Sequence, residues 1–269
     1  MEPASAPRLE APAVPSRQPL CIVAGGGAFP AAVAEAARAQ GRDVIMALMT
    51  GFADPALERY PHFWFRLGSL GVASARAKAF GARDIVMVGT LTRPRMRDLG
   101  LDWATVRLLP RIARLFRGGD NHLLSGVLGI VEEQGFRLIG AHEAAPALLL
   151  PEGRLGAVVP SAQDAADIEA AEGTDAMLAR YGSLRASGRL RFSAGRGVLV
   201  KAPKPGQDRR VDLPSLGPGT ITRAAEAGLG GIAFEAGGAI VPDAQDLVRT
   251  ADAAGLFVLG VVPGGDGGR

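Results

Sequence analysis

The residues best suited to catalysis lie in one stretch near the C-terminus, Lys201 to Pro214. It contains two of the three lysines in the chain, and prolines at positions 203, 205 and 214 restrict its backbone. Its cationic and acidic side chains are Lys201, Lys204, Asp208, Arg209, Arg210 and Asp212. This mixture suits a pyrophosphate, because cations neutralise phosphate oxygens and carboxylates can hold a Mg²⁺ ion that bridges them. A solvated charged loop is the alternative, but such a loop does not need the backbone restriction that the three prolines impose.

A second candidate cluster is Glu172-Gly173-Thr174-Asp175, directly before the helical pattern AMLARY. Thr174 or Asp175 could cap that helix, as threonine and aspartate commonly do. Alternatively, the two carboxylates on either side of Gly173 present oxygens to a metal ion or to a ribose. The residue pattern leaves both interpretations open.

A glycine turn near the N-terminus is the third candidate. Gly25, Gly26 and Gly27 follow an apolar run and precede Phe29 and an alanine-rich helical pattern. Consecutive glycines let backbone N–H groups approach an anion at a helix N-terminus, so the turn can bind a phosphate or a nucleotide. Pro30 stands where the dinucleotide fingerprint requires glycine, which disfavours NAD binding and suits the first turn of a helix instead. A purely structural tight turn is the alternative.

A fourth candidate is the glycine-rich turn from Arg117 to Asn121. Asp120 and Asn121 precede the apolar pattern LLSGVLGIVEEQG, so helix capping is the simpler interpretation. A ligand contact by Asp120 is the alternative.

One sequence pattern recurs five times: an alanine-rich helical stretch, a glycine and a short apolar run. The copies span residues 34–48, 75–89, 130–141, 223–237 and 250–262. Glycine is the usual left-handed residue that ends a helix, and a continuous apolar run is typical of a parallel strand buried on both faces. The pattern therefore predicts an α/β fold.

The spacing of these copies predicts two lobes, because residues 142–222 interrupt the pattern. We expect the active site between the lobes. The expected division is a disordered leader over 1–18, an N-terminal Rossmann-like domain with a parallel sheet over 19–158, a smaller C-terminal α/β catalytic domain over 159–262, and a disordered tail over 263–269.

Composition narrows the function classes. The 269 residues carry a net charge of +3, and acidic residues are interspersed among the basic ones, which argues against a nucleic-acid-binding protein. The single cysteine excludes an internal disulfide, and the three histidines lack zinc-hydrolase spacing, so any metal is expected to be a hard cation on oxygen ligands. The N-terminus lacks the apolar core of a signal peptide and no stretch is typical of a membrane span, so we expect a cytoplasmic protein.

Five stretches, taken in order, resemble one family: AGGGAFP, GGDN, EGTDAML, KAPKPGQDRRVDLPSLGPGT and AGLGGIAFEAG. They are similar to stretches of the LpxI-type UDP-2,3-diacylglucosamine pyrophosphatases of Gram-negative lipid A synthesis, and the likeness extends from residue 19 to residue 262. The resemblance implies a homodimer that uses Mg²⁺ and water to split UDP-2,3-diacylglucosamine into UMP and 2,3-diacylglucosamine 1-phosphate, known as lipid X. Because no stretch is typical of a membrane span, any contact with the inner membrane is expected to be peripheral.

The resemblance and the residue chemistry together suggest roles. Asp208 is expected to be a metal ligand or the base that orients the attacking water, while Lys201, Lys204 and Arg209 stabilise charge on the transferred phosphoryl group. The candidate metal ligands are Asp208, Asp175, Glu172 and Asp212. The candidate substrate contacts are Gly25, Gly26, Gly27, Phe29, Asp120, Thr174, Gln207 and Thr220.

The chain departs from the family at one place. Ile168 is followed directly by Glu169, where the family carries a further segment with a D-[IV]-G-Q motif. The resemblance therefore assigns no residue here to the role of that glutamine. A non-catalytic UDP-sugar-binding protein and a hydrolase of a soluble nucleotide sugar are the alternative functions.

Overall fold

The apolar runs of the N-terminal half form a parallel sheet. The structure is a computed structural model that describes residues 18–66, 68–90, 129, 131–160, 174–190, 195, 197–202, 209–210 and 213–262. The strands of this first sheet are β1 (Leu20–Ala24), β2 (Val44–Met49), β3 (His62–Phe65), β4 (Asp84–Val88) and β5 (Arg137–Leu138). Their order is β3-β2-β1-β4-β5, and each described pairing is parallel. Every residue of β2 is buried, as expected for a strand covered on both faces.

Among the described residues, helices connect β1 to β2 and β3 to β4. The described helices of this unit are α1 (Phe29–Ala39), α2 (Leu70–Ala79) and the single turn α3 (Ala141–Ala144), with 3₁₀ turns at Pro55–Arg59 and Pro146–Leu148. Because the chain moves outward from β1 to β3 and then returns to place β4 on the other side of β1, the sheet has the Rossmann order. The expected Rossmann-like parallel sheet in the N-terminal half is confirmed.

A second, smaller sheet forms in the C-terminal half. Its strands are β6 (Gly153–Leu155), β7 (Gly197–Lys201), β8 (Leu229–Glu235) and β9 (Phe257–Val261), in the order β6-β9-β8-β7. Strands β7, β8 and β9 are parallel, and β6 is antiparallel to β9. The described helices are α4 (Thr174–Ala186), α5 (Pro218–Ala227) and α6 (Ala244–Ala254). This half is α/β as expected, and its core includes Leu199, Ile221, Ile232, Phe234, Leu247 and Val258.

The glycine in each of the five sequence copies has the backbone conformation that the pattern predicts. Gly41, Gly81, Gly135, Gly228 and Gly255 all have φ between 67° and 85°. This left-handed conformation is strained for residues with a side chain, so glycine ends the helical stretch and turns the chain into the next strand.

The chain divides into two compact units after Pro146. This division lies earlier than the expected boundary at 158/159, because β6 pairs with β9 and so belongs to the second sheet. Among the helices of the described ranges, none has both the length and the apolar character needed to cross a bilayer.

Candidate functional site

Among the described candidate residues of the C-terminal unit, Thr174, Asp175, Lys201 and Thr220 lie at one edge of its sheet. Lys201 and Glu235 are the last residues of the neighbouring parallel strands β7 and β8. Helix α4 precedes β7 and helix α5 precedes β8. Because such a helix runs antiparallel to the strand that follows it, the N-terminal turns of both helices lie at the edge where the strands end, which is where ligands bind in open α/β sheets. These turns carry Thr174 and Thr220, which are both half-buried.

Lys201 is held at this edge by a backbone acceptor. Its Nζ donates a hydrogen bond to the carbonyl oxygen of Ser215 at 3.0 Å. Burial lowers the pKa of Lys201 from the ordinary 10.5, while the charge of Asp175 acts in the opposite direction. A partly dehydrated ammonium interacts more strongly with an anion than a fully hydrated one does, so this lysine is suited to bind a phosphate group.

Asp175 is engaged by a cation that the sequence analysis did not single out. Asp175 Oδ1 lies 3.1 Å from Arg223 Nη1, and this ion pair joins the first turn of α4 to α5. Thr174 and Asp175 are the first two residues of α4, so neither precedes the helix as its N-cap. The Asp175 carboxylate instead faces Arg223 and raises the pKa of Lys201, which places three charged groups near one another on two adjacent helices and a strand end.

Arg209 does not join this group. Its Nη2 donates a hydrogen bond to Glu235 Oε1 at 2.7 Å. Lys201 pairs in register with Phe234, which faces the helix-covered core, and side chains alternate along a strand. Glu235 therefore points to the opposite face of the sheet from Lys201, and Arg209 is held on that face.

The described carboxylates at this edge do not by themselves form a Mg²⁺ site. Asp175 and Glu235 are each paired with an arginine, and the described ranges contain no group of three or more histidine, cysteine or carboxylate side chains that could hold a metal ion. Of the expected metal ligands, Asp208, Glu172 and Asp212 lie outside the described residues. The same is true of the expected contacts Lys204, Gln207 and Asp120.

The glycine turn of the N-terminal unit is explained largely by its own packing. The N–H groups of Gly25 and Gly26 donate to the carbonyl oxygens of Val88 and Thr90, at 2.8 and 2.9 Å. A Cβ at Gly25 would lie 2.7 Å from the Thr90 carbonyl oxygen, and one at Gly26 would lie 2.9 Å from the Thr90 hydroxyl. Both residues are therefore glycine because the chain after β4 passes against them, and their N–H groups are already used.

Gly27 differs from its two neighbours. Its φ is 88°, and the space around a Cβ built there is open to 4 Å. Phe29 begins α1, and Pro30 lies in its first turn, as the sequence predicts. Only this end of the turn, at the N-terminus of α1, keeps the geometry expected for an anion contact.

Comparison with known proteins identifies both units. Family models described as the LpxI N-terminal domain and the LpxI C-terminal domain match residues 19–148 and 154–259. The UDP-2,3-diacylglucosamine pyrophosphatase LpxI of Caulobacter vibrioides is 40% identical over 273 residues, covering 91% of this chain and 98% of that protein. Because 273 exceeds the 269 residues of this chain, the relative has residues with no counterpart here.

One solved structure shows a weaker likeness. The UDP-glucose 4-epimerase of Thermus thermophilus, in complex with NAD, matches over 91% of this chain and 86% of its own, at 16% identity and a TM-score of 0.30. That score is too low to bear on fold or function. The two domain models and the relative matched over nearly its full length are decisive: the chain belongs to the LpxI family.

Proposed function

We propose that this protein hydrolyses the pyrophosphate bond of UDP-2,3-diacylglucosamine, releasing UMP and 2,3-diacylglucosamine 1-phosphate. The observation that carries the proposal is the match over nearly the full length of the Caulobacter vibrioides protein, which is named for this pyrophosphatase activity. The geometry supports it, because Lys201 presents a partly dehydrated cation where open α/β sheets bind their ligands.

In this proposal the water oxygen bonds to one phosphorus as the bond from that phosphorus to the bridging oxygen breaks. The departing phosphate takes up the electron pair of that bond, and the attacking water gives up a proton to solvent or to Asp208 acting as the base. The ammonium of Lys201 binds phosphoryl oxygens and neutralises the charge that develops on them. Thr174 and Thr220 lie on the flanking helix turns and are proposed to donate hydrogen bonds to the substrate.

A role for Mg²⁺ remains part of the proposal. Bound at the pyrophosphate, the ion would neutralise its oxygens. The proposed ligands are Asp208, Asp212 and Glu172, while Asp175 is already paired with Arg223. Asp208 is alternatively the base that orients the attacking water.

The test of this function is release of UMP from UDP-2,3-diacylglucosamine by the purified protein. We expect release that stops with EDTA, returns with Mg²⁺ and is lost in Asp208→Ala. Binding of the intact substrate without release would indicate a UDP-sugar-binding protein. Equal rates with unacylated UDP-glucosamine would indicate a hydrolase of soluble nucleotide sugars instead.

The pH dependence of the reaction tests the role of Asp175. Its negative charge raises the pKa of Lys201, which burial lowers, so Asp175→Asn should lower that pKa further. Lys201 then loses its proton at lower pH, and the basic limb of the pH profile of kcat/KM should move to lower pH. The profile should be measured at saturating Mg²⁺, with the exposed Asp43→Asn as a control. An unchanged basic limb combined with a higher Mg²⁺ requirement would show that Asp175 is a metal ligand instead.

The family resemblance supports two further proposals about assembly. We propose that the protein is a cytoplasmic homodimer and that it contacts the inner membrane peripherally to reach its lipid substrate. Sedimentation equilibrium tests the first proposal, and flotation with vesicles of inner-membrane composition tests the second. A monomer, or protein that stays at the bottom of the gradient, would contradict the respective proposal.

A further inference from the structure

Glu235 is a mostly buried carboxylate for which the sequence analysis found no role. It lies in AGLGGIAFEAG, a stretch that belongs to one of the five pattern copies and to the family resemblance, neither of which assigns a role to Glu235. Its side chain is 15% exposed, and that of its partner Arg209 is 46% exposed. Burial of a carboxylate is costly unless a cation or hydrogen-bond donors compensate it, so the Arg209 guanidinium is a necessary partner.

The turn after β8 fixes the position of this carboxylate. The N–H of Gly238 donates to the carbonyl oxygen of Glu235 at 2.8 Å, and Gly237 donates to the carbonyl oxygen of Leu150 at 3.0 Å. A Cβ at Gly238 would lie 2.8 Å from the Cβ of Glu235 and 3.0 Å from its Cδ. The turn therefore packs against the Glu235 side chain, and only glycine at position 238 leaves it room.

We propose that Glu235 is a positioning residue. Its ion pair with Arg209 is a tether that holds the backbone around Arg209 in place, and Arg209 does not itself touch the substrate. The pair joins the chain between β7 and α5 to the end of β8, on the opposite sheet face from Lys201. This inference rests on the proposed function, since it gives the Arg209–Glu235 pair a role in the proposed pyrophosphate hydrolysis.

The tether matters because of what adjoins Arg209 along the chain. The candidate acid Asp208 directly precedes Arg209 in the sequence, so release of Arg209 is proposed to displace that acid. A displacement of a reacting group by about 1 Å can cost about a hundredfold in rate. Loss of the ion pair should therefore lower kcat without removing any group that contacts the substrate.

The kinetic experiment is a double-mutant cycle on kcat/KM with Glu235→Gln, Arg209→Gln and the double variant. Glu235→Gln keeps the side-chain volume and removes the charge that strengthens the hydrogen bond. We expect both single variants to lose about ten- to a hundredfold in kcat/KM, and the double variant to lose no more than either. A larger loss in Arg209→Gln than in Glu235→Gln, or multiplied losses in the double variant, would overturn the tether.

A second readout does not depend on the reaction. Trypsin must take an arginine side chain into its specificity pocket, so the Glu235 ion pair should protect the bond after Arg209. We expect faster cleavage there in Glu235→Gln than in wild type, and no change in Glu226→Gln, which alters an exposed residue near the end of α5. Equal cleavage rates in wild type and Glu235→Gln would refute the tether. If the bond after Arg209 is protected from trypsin in a wild-type protein that releases no UMP, the ion pair holds Arg209 as proposed and only the proposed function is refuted.

Discussion

Replacing Asp84 with asparagine is expected to lower the free energy of unfolding of the N-terminal unit by about 3–5 kcal/mol. Asp84 begins β4 with a side chain that is 1% exposed, and it accepts hydrogen bonds from two arginines. Arg42 Nη2 lies 2.6 Å from its Oδ2, and the Arg42 side chain is 2% exposed. Asparagine would leave that buried guanidinium without a counter-charge, which is the costly way to break a buried ion pair.

The other arginine supplies a matched control. Arg137 Nε and Nη2 donate to Asp84 at 2.8 and 2.9 Å, but the Arg137 side chain is 62% exposed. Arg137→Gln leaves the Arg42–Asp84 pair in place, so it should cost about 0–1 kcal/mol. Both tryptophans of the chain, Trp64 and Trp103, precede Pro146, so tryptophan fluorescence during urea unfolding reports on this unit. Equal losses in the two variants would contradict the assignment of the energy to the buried pair.

The same substitution should change the acid limit of stability. Burial opposes ionisation of Asp84, but hydrogen bonds and charges from Arg137 and Arg42 outweigh it, so its pKa in the folded protein lies below the ordinary 3.8. Such a carboxylate contributes stability that is present above the unfolded pKa and lost as pH falls through the folded pKa. Below about pH 4, the stability difference between wild type and Asp84→Asn should therefore shrink.

The sequence predicts the fold well where one residue decides the local conformation. Each of the five glycines ends a helical stretch in the left-handed conformation, and apolar runs such as β2 form buried strands. The domain boundary was harder to predict, because β6 belongs to the second sheet through its pairing with β9, roughly a hundred residues away along the chain.

The burial of charged residues is also hard to predict from the sequence, because it depends on contacts between residues far apart along the chain. The stretches GRDVIMAL and GARDIVMVG both place arginine and aspartate next to each other where a strand begins. In the first, Arg42 is buried and Asp43 is exposed, whereas in the second Arg83 is exposed and Asp84 is buried. The difference arises because Arg42 reaches across the sheet to Asp84, a contact between two copies that neither local pattern contains.

At the candidate site, the sequence identified the strand-end lysine but not the partners of its neighbours. Lys201 stood out because lysine is rare in this chain and because it ends an apolar run. Arg223 and Glu235 lie in ordinary helix and strand patterns, and only their contacts with Asp175 and Arg209 reveal them. A signal was present for Glu235, since it is a charged residue that ends a buried strand and is closely followed by two glycines.

Replacing Lys201 with methionine should lower kcat by about 10²- to 10³-fold, the usual cost of removing one group that stabilises developing charge. Methionine keeps most of the apolar stem, so the packing at the end of β7 should be preserved. Burial disfavours the charged form of Lys201 and lowers its pKa, so the substitution should reduce the thermal stability of the C-terminal unit by no more than the loss of the hydrogen bond to Ser215. The loss should fall mainly on kcat rather than on KM, because the developing charge exists in the transition state and not in the bound substrate.

The control for this substitution is Lys78→Met, at an exposed lysine that lies over the Phe136 ring in the N-terminal unit. The same change of side chain there should leave kcat unchanged. Steady-state UMP release by both variants, together with their melting temperatures, separates lost chemistry from lost folding. A Lys201→Met protein with wild-type kcat and a raised KM would show that this ammonium binds the ground state only and that another cation, such as Lys204, stabilises the developing charge.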